Sequence, residues 1–120
     1  MAQRLQDRLE EPGPAVYYEP GFRQIVEDHL TYLRGHETTE KNSIRPRVAH
    51  GCQGDFYCVL SYYGIPREHH WLTLRVNGLT SPLDYDSTMD QMLLCSPTTI
   101  SRLVKMYRAN RRQSRKAREK

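Results

Sequence analysis

No apolar run in this chain approaches the roughly 20 residues that a bilayer-spanning helix needs. The first eight residues carry charge with no apolar stretch behind them. That argues against a secretory signal and for a chain made and first folded in a cytoplasm. Cysteine is scarce: there are three, an odd number, with no C-x2-C or H-x3-H arrangement, so a zinc site is not expected. Neither Ser61 nor Ser101 sits in a nucleophile-elbow pattern. Asp84, Asp86 and Asp90 lack the glycine and the late glutamate of an EF-hand loop. No internal repeat is visible. Hydrophobic residues make up 38% of the 120 and charged residues 27%, so the core is small and belongs to one domain with extensions.

What is present is divided by sign of charge. Residues 102–120 hold nine Lys/Arg against one acid, Glu119, which leaves nine bases against thirteen acids in the rest of the chain. The net charge of +4 therefore hides an acidic body with a basic tail. Such a tail is either solvated, docked on an acidic protein neighbour, or neutralising phosphates. No aromatic residue follows Tyr107, so base stacking is not expected and nucleic acid is the weakest of the three partners.

Local signals predict the elements. A short helix over 1–11 ends at Pro12-Gly13-Pro14, and 15–19 read as extended. Residues 21–34 form one amphipathic helix, with Phe22, Ile25, Val26, His29, Leu30 and Leu33 on a face and Gly35 as its stop. A polar loop covers 36–43, and a strand covers 44–52, weakened at its start by Pro46. Asp55 caps a helix over 56–63 that Gly64 closes. Pro66 opens a second helix lined by Trp71 and Leu74 and ended by Asn77-Gly78. After a polar loop over 80–87, residues 89–95 form a strand. Ser96-Pro97 then starts a last helix whose apolar stripe is Ile100, Leu103, Val104 and Tyr107.

The order Gly54-Asp55, Leu60, Tyr63-Gly64-Ile65, Asn77-Gly78-Leu79 and Leu93-Leu94-Cys95-Ser96-Pro97 resembles a LysM domain over about 50 residues. Phe56 and Tyr57 in place of the usual threonine and small polar helix, Trp71 ahead of Asn77, and the flanking helices make it similar to the LysM-like baseplate wedge proteins of contractile-tailed bacteriophages. The fold this implies is α+β: a βααβ domain over 44–97, a preceding extension over 1–43 with its helix at 21–34, and a basic helical tail over 98–120. The resemblance implies a structural role in the virion tail, joining wedge subunits around a hub by protein–protein contacts in a symmetric, multi-copy assembly. On that view Arg108, Arg111, Arg112, Arg115, Lys116 and Arg118 meet a partner, and no cofactor or membrane is involved. A LysM domain also implies a second reading, peptidoglycan binding in a groove between Gly54, Asp55 and Phe56 and the loop Leu79, Thr80, Ser81 and Pro82. The LysM strands pair antiparallel, which would bring Cys52 and Cys95 within bridging distance; the alternative is a pair of reduced thiols. Cys58 is left as buried or free.

Catalysis is not expected. His69 and His70 adjoin Glu68, but neighbours on a helix point about 100° apart, so at most one faces any site. His29, on an apolar face, reads as a packed residue. The aromatic side chains are more numerous than so small a core can bury. Some of Tyr17, Tyr18, Tyr57, Tyr62, Tyr63, Tyr85 and Trp71 are therefore expected at contacts with partners.

Overall fold

The computed structural model describes residues 15–119, with side chains through Arg111. The expected helix over 1–11 lies outside this range. The chain is mixed helix and sheet, in the order of a 3-10 turn (Ala15–Tyr18), α1 (Pro20–Asp28), α2 (Leu30–Gly35), β1 (Glu40–Ser43), α3 (Pro46–Gly51) and α4 (Phe56–Tyr62). There follow a 3-10 turn (Arg67–His69), α5 (His70–Val76), a 3-10 turn (Pro82–Asp84), β2 (Gln91–Leu94) and α6 (Pro97–Glu119). No helix of the described residues is long and apolar enough to cross a membrane.

α5 is the centre of the fold. Five of its seven residues are buried, and they point two ways. Leu74 joins Ile44, Val48, Phe56, Val59, Leu60, Tyr85 and Met92 in one cluster. Leu72 and Val76 join Phe22, Val26, Leu33, Ile100 and Leu103 in the other, and Trp71 touches both. A helix that is apolar nearly all round must be covered on all sides. Here α1, α2, α4 and β2 do the covering.

Several ends follow the expected chemistry. The Asp55 carboxylate accepts the Cys58 N–H at 3.2 Å and caps α4. Gly78, at φ +81°, closes α5 in a conformation that a side chain would resist. Pro97 begins α6, whose Ile100, Leu103 and Val104 are buried. Its 23 residues span about 35 Å. α6 lies close on α1: a Cβ added to Gly21 would stand 2.8 Å from the Tyr107 ring.

Other expectations need correction. The strand expected over 44–52 is instead β1 at Glu40–Ser43 followed by helix α3. Pro46 sits at the first helical position after an extended Arg45, a place that suits its fixed φ and missing N–H. Val48, Ala49 and Cys52 are then buried on one helical face. β1 pairs antiparallel with β2, with Glu40 opposite Leu94 and Ser43 opposite Gln91. The first strand thus falls inside the segment 1–43 and not after it, in the stretch expected as a polar loop. The single helix over 21–34 is two, broken at His29 (φ −111°), whose Nδ1 lies 2.7 Å from the Ile25 carbonyl and competes for it with the backbone ladder. Residues 15–18 form a 3-10 turn and are not extended, and Pro66 leads into another such turn before α5 begins.

Candidate functional site

The residues expected to form a glycan groove are brought near one another, but not as a groove floor. The Gly54 N–H donates to the Tyr85 carbonyl at 3.1 Å, and the Pro82–Asp84 turn packs on α4. Phe56, however, is fully buried, with its ring centroid 5.5 Å from that of Tyr85 inside the core. It has no face left for a sugar, and this corrects the expectation. The Asp55 carboxylate is engaged in its cap. Ser81 caps the Pro82–Asp84 turn through the Leu83 N–H (3.2 Å), and Asp84 accepts the Ser81 N–H in return (3.1 Å). The Leu79 carbonyl accepts from Arg75 Nη1 at 2.7 Å. Thr80 is exposed, and Pro82 is half-buried at the start of its turn.

The cysteines pair differently from the expected Cys52–Cys95. Cys52, at the end of α3, is bridged to Cys58 on α4 across the Asp55 turn, with Cα atoms 5.6 Å apart. Cys95 is free and half-buried, and burial raises its thiol pKa above the ordinary value, against a small opposing hydrogen bond from Thr39. A thiol held protonated is a poor nucleophile.

The basic helix is tied to the body at one point. The Tyr107 hydroxyl donates to Glu19 Oε2 at 2.5 Å, and Arg111 Nη1 lies 3.1 Å from Glu19 Oε1. The Tyr107 bond, more than the Arg111 charge, lowers the Glu19 pKa; the same bond raises that of Tyr107, which the Arg111 charge opposes. Arg108 is exposed beside Tyr17. The side chains of Arg112, Arg115, Lys116 and Arg118 lie outside those described, while the backbone stays helical to Glu119.

A groove of about 450 Å³ forms where the Ala15–Tyr18 turn, α1, α4 and α5 meet. Its walls include Tyr17, Tyr18, Tyr57 and Trp71, so the surplus of aromatic residues is in part gathered here. Tyr85 and Tyr63 are used otherwise: the first is core, and the second accepts the Arg45 N–H at 3.0 Å. Arg23 reaches into the groove with its guanidinium 4.7 Å from the Trp71 ring and 5.8 Å from that of Tyr18. Burial raises the pKa of Tyr17, Tyr18 and Tyr57, so their hydroxyls stay protonated donors. Arg23 carried no signal of its own in the sequence. Its ring partners, Tyr18 and Trp71, come from two other elements, far apart in the sequence.

His70 lines the same groove. It is buried, and its Nε2 donates to the Ile65 carbonyl at 2.9 Å. Burial pushes its pKa below the ordinary 6.5; Arg67 acts the same way, while the Ile65 bond, Glu68 and Asp55 oppose. Burial lowers His69 as well. Between the folded and unfolded pKa values the unfolded chain binds more protons. The stabilisation is therefore complete above pH 6.5 and is lost as pH falls through the folded value. The melting temperature should drop on going from pH 7.5 to 5. His70→Gln, which keeps an N–H for Ile65, should flatten that drop; an unchanged slope would remove His70 as a cause.

No protein-family model matches the chain, and no curated protein and no solved structure is similar to it.

Proposed function

We propose that the protein is a non-enzymatic structural component of a contractile phage tail baseplate, joining neighbouring subunits by protein–protein contacts. The observation that carries this reading is α6, anchored to the acidic body by Tyr107 and Arg111 and continuing to Glu119 as a basic helix. One end packs on this chain's core, and the other offers charge to an acidic neighbour. The LysM-like reading is supported by the order of elements: β1 and β2, paired antiparallel, enclose α4 and α5, with Asp55 and Gly78 at the expected ends. α3 and the helices α1, α2 and α6 are additions to that pattern.

Deleting residues 112–120 should leave the melting temperature unchanged, because every described anchor of α6 lies at or before Arg111. Assembly with acidic tail proteins, followed by size exclusion, should fail. Complete particles from the shortened chain would sink the proposal. The peptidoglycan reading loses its aromatic platform with Phe56 buried. Retention of the whole protein on insoluble cell wall, without binding to tail proteins, would restore it.

A further inference from the structure

We propose that the groove beside Trp71 is a docking site for an acidic side chain of a partner protein, with the Arg23 guanidinium as its anchor. The inference rests on the protein–protein reading above and names a second contact surface, apart from the 112–120 end of α6.

The arginines of the helical body differ in how their N–H groups are used. Arg75 gives its Nε and Nη2 to Glu27 and its Nη1 to the Leu79 carbonyl. Arg34 gives Nε and Nη2 to the carbonyls of Val76 and Arg75. Arg23 is held instead by ring faces: Trp71 on one hand and Tyr18 on the other. Ring faces attract the charge without consuming the N–H groups in the guanidinium plane. Its Nε is buried, and no acceptor among the described residues reaches it. Neither of the ion pairs among the described residues includes it. A half-buried guanidinium, oriented by two rings and with its Nε unpaired, is placed to take an acceptor from outside the chain.

The surroundings narrow what that acceptor is. The Asp55 carboxylate is committed to the Cys58 N–H, and Glu68 acts on Tyr17 and Tyr18. With Arg67 also in the lining, two acids face two arginines, a balance that suits a singly charged carboxylate at Arg23 better than a doubly charged phosphate. A carboxylate is planar and takes two parallel N–H bonds from a guanidinium. The protonated hydroxyls of Tyr17 and Tyr57 supply further donors, and the aromatic walls suit apolar neighbours of the acid. Arginine, tyrosine and tryptophan gathered in one depression is the composition of an interface hot spot.

Trp71 is the only tryptophan in the chain, so its fluorescence reports on the groove directly. The full chain would be titrated with acetyl-Leu-Glu-Leu-amide, with the matching glutamine peptide, and with chitotriose. The acidic peptide should give a saturating change in emission in roughly the millimolar range, with the glutamine peptide about tenfold weaker or more. Arg23→Lys keeps the charge but loses the planar fork, and should weaken the acidic peptide by a similar factor. Ser61→Glu, at an exposed position lining the groove, supplies an internal competitor and should do the same without touching Arg23. Equal response to both peptides, no saturating response, or indifference to both variants would overturn the proposal. Saturation by chitotriose alone would overturn it in favour of a glycan site. The chain lacking residues 112–120 should titrate like the full chain, so loss of the assembly reading and loss of the groove are told apart.

Discussion

Phe56→Ala should lower the free energy of unfolding by about 3–5 kcal/mol, the usual cost of deleting a fully buried aromatic ring. Phe56 has no exposed surface and packs among Val59, Leu60, Leu74 and Met92, with the Tyr85 ring tilted against it at 5.5 Å between centroids. It is also the first residue of α4, directly after the Asp55 cap. The cavity would therefore open where the helix starts. A domain of this size has a total stability of about 5–15 kcal/mol, so the variant would sit near the limit of folding at 37 °C. Urea titration followed by circular dichroism gives the number. A groove residue would behave otherwise: its removal would leave the midpoint in place and change only binding. A loss below about 1 kcal/mol would mean that the ring is not in the core.

The elements that the sequence reveals are those whose signals are local and chemical. Asp55, Gly78 and Pro97 each act within a turn of their own position, and each stands where its chemistry places it. The apolar stripe Ile100, Leu103, Val104 is likewise legible because one helical face alone carries it. β1 is not legible. Glu40, Lys41, Asn42 and Ser43 show no apolar alternation, and the strand exists through its pairing with β2, some fifty residues away. With no strand signal there, the apolar residues of 44–52 suggest a strand in its place, although Val48, Ala49 and Cys52 bury on a helical face. That exchange also accounts for the cysteines. Placed at the end of a strand, Cys52 faces β2 and Cys95. Placed at the end of α3, it faces Cys58 across one turn. The groove was hidden for a different reason. Tyr18, Arg23, Tyr57 and Trp71 come from four elements, and only packing around α5 brings them together.

Asn77 plays a larger part than that of a helix stop, and Asn77→Ala should cost about 2–4 kcal/mol. Its Oδ1 accepts the Leu93 N–H at 2.7 Å, and its Nδ2 donates to the Leu93 carbonyl at 3.0 Å and to the Thr73 carbonyl at 2.7 Å. The side-chain amide thus stands where a third strand would, pairing both backbone groups of Leu93 on the outer edge of β2. Alanine leaves that N–H and that carbonyl without partners, and because they are only half-buried each costs about 1–2 kcal/mol, in the lower part of the usual range. Asn77→Asp separates the two halves of the role. The carboxylate still accepts from Leu93 N–H, but it now faces two carbonyl oxygens that need a donor. Once protonated, it can donate again. Its folded pKa should therefore lie above the unfolded value near 3.9, with its stabilisation present at low pH and lost as pH rises through the folded value. Relative to the unsubstituted protein, Asn77→Asp should recover stability between about pH 7 and pH 4, while Asn77→Ala should not. Urea midpoints at the two pH values decide it. Equal deficits for both variants at both values would mean that the amide fills space and does not hold the strand.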